Sequence, residues 1–433
     1  MRIVVNTIGS TGDLFPFIAL GQGLKTRGHE VVFAVNPRMH PTLKKAGLEC
    51  RACGPPLGEE DAAAHLKLFE GHDPLRQLRL LMLEWLIPST ENCYHELMSA
   101  CKGADALIAT SIQFAAPMVH EILGLPWITV SLSPSQFRTR FEPPLGFTDT
   151  GLTLVNRLCW ALANAVLRWN FLAPLNEMRA RLGFGPVDCV PTLTGFSPKL
   201  TLLASSPQFS PKQPDWDPSV KQTGFWFYDG KDQADWQPAP ELRAFVERGG
   251  KPIVLSLGSM VQKDPVRVVQ VHAEAAAQLK QRLIVQQGWA KLSVEGLKSS
   301  MPAGDLIGAG FLPHEWLFSH ARAVIHHGGA GTTARALRNG CPMLLEPHGF
   351  DQPYNARRIR NLGLGDAVPS HKITVNRLIK ALERVLSDEV QQNAISIAEK
   401  VRAEDGVGDA CDLIEACVRN GLAQQVNAVG AAR

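Results

Sequence analysis

The chain has 433 residues, 45% of them hydrophobic and 20% charged, and a formal net charge of +3. That length exceeds what one hydrophobic core usually serves, so two domains are expected, and the apolar share excludes a disordered chain. So small a charge, with no Lys/Arg block, excludes nucleic acid as an electrostatically held partner.

From the start, Ile3-Val4-Val5 reads as a short buried strand, Gly9-Ser10-Thr11-Gly12-Asp13 as a loop, and Phe15 to Arg27 as a helix ended by Gly28. Val31 to Val35 returns as strand. Met1-Arg2 leads directly into the first strand without the apolar core of a signal peptide, so a cytoplasmic protein is expected. The nine cysteines are odd in number and scattered, which suits reduced, buried thiols. Cys50 and Cys53 form a C-x-x-C, but no second pair follows at zinc spacing.

Gly151 to Leu172 is long and apolar, yet Arg157, Arg168 and three asparagines argue against a membrane span. It reads as an amphipathic helix that packs on the first sheet, with lining of an apolar cleft or loose attachment to a membrane surface as the other roles such a face can take. Trp85, Phe114, Phe137 and Phe141 add apolar area to the same half, in keeping with an apolar cleft, although most such residues are core. Ser205 to Pro240 is rich in Pro, Asp and Trp and reads as an interdomain linker. The expected division is 1–215, a linker over 216–245, a second domain over 246–405 and a closing helix over 406–433.

After Lys251 the strand-loop-helix-strand order repeats: Ile253-Val254-Leu255, Gly258-Ser259, Val266 to Leu279, Leu283-Ile284-Val285. Two α/β halves with mostly parallel sheets follow from that repetition. Val390 to Arg402 and Ala410 to Leu422 read as terminal helices, and Val426 to Arg433 as a frayed end.

The most informative stretch runs from Phe311 to Gln352. Ala323-Val324-Ile325 reads as a strand and Ala334 to Asn339 as a helix, so Gly328, Gly329 and Gly331 sit on the turn between them. Such a turn lets an anion approach backbone N–H groups at a helix start, where Thr332 and Thr333 add hydroxyls and His327 a ring nitrogen. Met343-Leu344-Leu345 reads as the next strand, which places Asp351 and Gln352 past its carboxyl end, suited to paired sugar hydroxyls. The plainer alternative is a tight turn, with Asp351 capping a helix from Pro353 to Leu362.

These residues resemble the nucleotide-sugar-dependent glycosyltransferases of family 1, through the segment Phe311 to Gln352, through Gly9-Ser10-Thr11-Gly12-Asp13-x-x-Pro16, and through Leu257-Gly258-Ser259. The resemblance extends over nearly the whole chain and implies the GT-B architecture: α/β, two facing Rossmann-like domains with parallel sheets and an interdomain cleft, and a final helix that crosses back to the first domain. His326-His327-Gly328-Gly329-Ala330-Gly331-Thr332-Thr333 is most similar to the bacterial and fungal branch acting on sterols, other lipids, macrolides and glycopeptide aglycones; lipid rhamnosyltransferases are close as well. Phe311 stands where plant enzymes carry a stacking tryptophan, His314 where they carry glutamine, and Arg335 where they carry the glutamate that holds ribose.

What the resemblance implies is an inverting transfer of a hexose, glucose first, from a UDP- or dTDP-sugar to a hydroxyl of a lipophilic acceptor, with dTDP-rhamnose as the alternative donor. Asp13 would be the base. Ser259, Phe311, His314, His327, Gly328, Gly329, Gly331, Thr332, Thr333, Asp351 and Gln352 would bind the donor. The scheme needs no metal and no cofactor besides the nucleotide sugar as co-substrate. Asp215-Trp216-Asp217, the only D-x-D of metal-binding style, lies in the proline-rich linker and is read as coincidence. An epimerase or hydrolase of the nucleotide sugar and a non-catalytic transferase activator are the readings from other classes; oligomeric state has no signal in the sequence.

Overall fold

The computed structural model describes residues 1–54, 62–69, 73–190, 196–230, 236–258, 260–288, 290–295, 297 and 301–431, with backbone alone at 11, 62–65 and 422–431. It divides into two compact units. The first comprises Met1–Gly58, Leu78–Tyr228 and Asp405–Arg433, and the second Glu59–Gln77 and Asp229–Glu404.

The first unit holds a seven-stranded sheet in the order β3-β2-β1-β4-β5-β6-β7. Its strands are β1 Arg2–Asn6, β2 Glu30–Val35, β3 Glu49–Ala52, β4 Ala106–Thr110, β5 Trp127–Ser131, β6 Thr201–Leu203 and β7 Val220–Gln222. Every pairing is parallel. Such strands are covered on both faces, so continuous apolar runs such as Ile3-Val4-Val5 are fully buried. Phe17, Ile18, Leu20 and Leu24 of the helix Thr11–Thr26 pack on one face, each fully buried and worth roughly 1.5–3 kcal/mol.

The same core takes Ala410, Cys411, Ile414 and Val418 from the last helix, Gly406–Ala431. Arg27 binds Asp412 at 2.5 Å, and His29 binds Glu415 at 3.0 Å. The helix runs through 426–431, where fraying was expected.

The second unit holds a six-stranded parallel sheet in the order β10-β9-β8-β11-β12-β13. Its strands are β8 Ile253–Ser256, β9 Leu283–Gln286, β10 Leu306–Ala309, β11 Ala323–His326, β12 Met343–Leu345 and β13 Gly365–Ala367. In each sheet the strand order reverses beside a central strand, between β1 and β4 and between β8 and β11. Ligands of open parallel sheets bind at such switch points, outside the carboxyl ends.

Part of the expected linker is sheet. Val220–Gln222 pairs with β6, and Trp216 is buried against Phe137 and Leu203, so these residues complete the first unit. The prolines that argued against a helix are compatible with a short edge strand. The helix Thr153–Arg181 buries Trp160, Leu167, Phe171, Leu175 and Met178 on one face. Among the described residues, no helix is long and apolar enough to cross a membrane.

Candidate functional site

In the second unit, the loops after β8, β10, β11 and β12 carry most of the expected donor residues. Ser259 lies outside the described residues, but its neighbour Gly258 has a φ of +58°. A Cβ at Gly258 would stand 2.9 Å from His327 Cε1, and one at Gly329 would stand 2.4 Å from His327 Nε2. The imidazole is therefore wedged between two glycines, and any larger residue at either position would displace it. Burial, with His348 and His314 nearby, pushes its pKa down to about 3, so the ring is neutral at physiological pH. Among the described residues, its Nδ1 is buried without a hydrogen-bond partner.

The helix after β11 spans Ala330–Arg338, starting four residues before the expected Ala334. A glycine-rich start is a poor helix signal, but Gly329 serves as N-cap and the turn is extended there. Thr332 and Thr333 consequently lie inside the first turn. The Thr333 hydroxyl donates to the Gly329 carbonyl at 2.9 Å, and Gly328 N–H donates to His326 Nδ1 at 3.1 Å. Those two donors hold the turn itself, which leaves the first-turn amides of Ala330, Gly331 and Thr332 as the helix-start groups with no intrahelical acceptor.

Past β12 the chain makes a closed loop. The Gln352 side-chain oxygen accepts from His348 N–H at 2.7 Å and Gly349 N–H at 3.3 Å, so this amide, expected to face a sugar, latches its own loop. Asp351 occupies the N-cap of the helix Gln352–Asn361 without a capping bond from its side chain. Instead its carboxylate accepts from Asn355 Nδ2 at 3.1 Å, and the same amide group donates to the Gly328 carbonyl at 2.8 Å. Asn355 thus ties the Asp351 carboxylate to the glycine turn.

Phe311 is 70% exposed, a flat ring open to solvent. His314 is half-buried and stacks on Phe318 with ring centres 4.8 Å apart; burial and the nearby Arg335 push its pKa down to about 4. Arg335 binds Asp229 at 2.5 Å and Glu315 at 3.1 Å.

Three supporting groups have no motif in the sequence. Glu346, directly after β12, is fully buried and pairs with His272 Nε2 at 2.7 Å. Gln77 Nε2 donates to the His348 carbonyl at 3.1 Å, and Gln262 Nε2 meets His348 Nε2 at 3.3 Å. A glutamate breaking the apolar run Met343-Leu344-Leu345 was the one legible sign.

In the first unit, Asp13 lies in the helix Thr11–Thr26, which begins earlier than the expected Phe15 and takes up part of the expected loop. Its carboxylate accepts from Ser10 N–H at 2.7 Å and from the Ser10 hydroxyl at 3.0 Å. It is half-buried at the carboxyl end of β1. Phe114 and Phe137 are core, while Trp85 and Phe141 are half-buried. An apolar cavity of about 130 Å³ is lined by Phe114, Trp127, Leu175, Met178 and Phe196, well under the several hundred Å³ usual for a ligand site.

The D-x-D carboxylates are structural: Asp215 accepts from Thr139 and Arg140, and Asp217 from Ser219 N–H at 2.8 Å. Of the C-x-x-C pair, Cys53 faces Cys93 rather than Cys50, with Glu96 alongside and all three ligand atoms within 4.8 Å. The Cys93 thiol and burial hold Cys53 protonated, which suits a core thiol pair.

Two parallel-sheet α/β units, one with a glycine-walled imidazole at a helix start and a carboxylate past the next strand, define a GT-B glycosyltransferase. Residues 3–141 match the glycosyltransferase family 28 N-terminal domain, and residues 273–410 match the erythromycin biosynthesis protein CIII-like C-terminal domain. The O-mycaminosyltylonolide 6-deoxyallosyltransferase of Streptomyces fradiae is 33% identical over 427 residues, covering 96% of this chain and 97% of that enzyme. Sterol 3-beta-glucosyltransferase UGT80A2 of Arabidopsis thaliana is 29% identical over 95% of this chain and 64% of its own length. The crystal structure of the glycotransferase of kitacinnamycin superposes with a TM-score of 0.72 at 20% identity, covering 96% of this chain and 99% of that one. The chain belongs to the family 1 glycosyltransferases of GT-B fold and is a hexosyltransferase enzyme.

Proposed function

We propose that the protein transfers a hexose, glucose in the first instance, from a UDP- or dTDP-sugar to a hydroxyl of a lipophilic small molecule, with inversion at the anomeric carbon. The observation that carries the donor half is the neutral His327 ring between Gly258 and Gly329, next to the helix-start amides of Ala330, Gly331 and Thr332. Amides and an uncharged imidazole donor stabilise a departing diphosphate without moving at the moment of reaction, and each such donor is worth roughly 3 kcal/mol. Asp351, held by Asn355, orients the sugar; Gln352 acts one step removed, by fixing the loop. Phe311 offers its exposed face to the base.

In this reading the first unit carries the acceptor, and Asp13 takes its proton. A carboxylate is too weak to ionise an alcohol beforehand, so proton removal accompanies attack on the anomeric carbon. Ser10 orients the carboxylate through two bonds to one oxygen, Oδ2. The bond to the diphosphate oxygen breaks as the new glycosidic bond forms. No step is routed through a metal ion, and activity retained in EDTA is the expected result.

A 6-deoxyhexose such as rhamnose, carried on dTDP, is the second reading. It is favoured by the Streptomyces fradiae relative, whose name specifies a 6-deoxyallosyl transfer. A thermal-shift screen with UDP, dTDP and their sugars separates the two, since the cognate nucleotide raises the melting temperature in proportion to its affinity. Turnover is then assayed against sterols, polyketides and hydroxy fatty acids. A shift with neither nucleotide would overturn the donor site.

A further inference from the structure

The helix Thr153–Arg181 is only half used by the fold. Opposite its buried face, Leu154, Leu158, Leu162 and Trp169 are 67%, 62%, 55% and 89% exposed, and Leu152 just ahead of the helix is 60% exposed. Ala161 and Ala165 are exposed between them. At 100° per residue the side chains within the helix fall in one stripe roughly 100° wide, the width of a face that normally meets a core. Arg157 and Arg168, both exposed, lie along one border of that stripe, eleven positions apart. From Thr150 to Asn176 the chain has no carboxylate at all. Arg79 adds a third cation near the helix, bound to Asn170 Oδ1 at 2.8 Å.

We infer that this stripe docks on an anionic phospholipid surface. Leucines and a nearly naked tryptophan on a convex helix, edged by arginines, are what an interfacial helix presents: the apolar side enters the acyl boundary and the cations meet lipid phosphates. Charge argues against a second copy as the occupant. Pairing two such stripes would gather four arginines with no carboxylate from Thr150 to Asn176 to answer them. A single convex stripe also supplies no pocket for a shape-matched protein partner, whereas a bilayer requires none. Asp149 and Glu177 flank the stripe in sequence, and Asp188 and Glu142 meet the helix through backbone carbonyls, which accept from Arg168 and from the Trp160 indole.

The test is flotation of the full-length protein with vesicles of phosphatidylcholine alone or with phosphatidylglycerol, and it needs no turnover. Binding is expected on the anionic vesicles, to weaken with salt, and to be slight on phosphatidylcholine. Replacing Leu158 and Leu162 together by Gln, or Trp169→Ala, lowers partitioning about tenfold or more, since each removes interfacial apolar area. Arg157→Gln with Arg168→Gln lowers it about fivefold per arginine, and only on the anionic vesicles. These side chains are exposed, so circular dichroism and melting temperature stay at wild-type values, which separates lost docking from lost folding. Failure to float with anionic vesicles at low salt, or variants floating like wild type, overturns the inference. So does a dimer by light scattering that Leu158→Gln with Leu162→Gln converts to monomer, because the stripe would then belong to a second copy.

Discussion

His272 Nε2 stands 2.7 Å from a Glu346 carboxylate oxygen, and neither side chain reaches solvent. Burial alone would drive the imidazole neutral, but the carboxylate and the Val268 carbonyl hold its pKa above the ordinary histidine value. The pair is tied to the loops that follow β11 and β12, since Glu346 N–H donates to the His326 carbonyl at 2.8 Å and its own carbonyl accepts from His348 Nδ1 at 2.7 Å. Glu346→Gln or His272→Ala leaves a buried group without its counter-charge and is expected to destabilise the protein by about 3–5 kcal/mol. Replacing both by apolar residues of similar size costs much less, and denaturant titration of the three variants checks the difference.

The pair also sets a pH dependence. A histidine whose folded pKa is raised contributes stability that is complete below its unfolded value, near 6.5, and is lost as pH climbs through the folded value. Melting temperature should therefore fall as pH rises above about 6.5 in the wild type, with a shallower fall in the double replacement. Identical slopes in both would show that the pair does not titrate across that range.

His327 behaves in the opposite sense. With its pKa near 3, it stays neutral throughout the assay range, so affinity for the intact nucleotide sugar should not vary with pH between about 5.5 and 8 on its account. His327→Ala removes one donor and is expected to weaken nucleoside diphosphate by about 1–3 kcal/mol in calorimetry. Gly329→Ala should act in the same direction without deleting the ring, because the new methyl would stand only 2.4 Å from Nε2 and push the imidazole aside. Unchanged affinity in both variants would move the diphosphate elsewhere.

Asp13 accepts two Ser10 donors, and in the proposed mechanism it also serves as the base. Asp13→Asn preserves an acceptor oxygen, so the helix Thr11–Thr26 should lose under about 1 kcal/mol while transfer falls by several orders of magnitude. Nucleoside-diphosphate binding should persist. Ser10→Ala retains the base but frees it, and a loss in kcat larger than the loss in stability would show that orientation matters. Near-normal turnover in Asp13→Asn would remove this carboxylate from the mechanism.

Much of this was legible in the chain. Ile3-Val4-Val5, Ile253-Val254-Leu255 and Ala323-Val324-Ile325 are all strands, because fully covered parallel strands write themselves as unbroken apolar runs. Helix starts were less legible: Thr11 and Ala330 begin helices in glycine-bearing segments where propensity argues against one, and the sheet's carboxyl ends override it. Val220–Gln222 was hidden by prolines on both sides and by having only three residues. The hydrogen bonds of Gln352 and Thr333 could not be read locally. Each bonds across a loop whose shape is set by tertiary packing, and the same residue types would equally suit a ligand.

Asp351 and Gln352 are neighbours in sequence with separable tasks, and kinetics can divide them. Asp351→Asn keeps the size of the side chain but removes the charge that a sugar hydroxyl would donate to; charge-assisted bonds are roughly twice as strong as neutral ones. Transfer should fall about ten- to a hundredfold while affinity for the free nucleoside diphosphate stays within about twofold, since only the sugar has lost a partner. Gln352→Leu instead strips the acceptor from His348 N–H and Gly349 N–H, two amides of one tight loop. The loop then reopens around His348, next to the proposed diphosphate site, so sugar transfer and nucleoside-diphosphate affinity should fall together. Gln352→Glu retains the accepting oxygen and should recover most of the affinity, an outcome expected of a latch and not of a residue that reads sugar hydroxyls through its amide N–H.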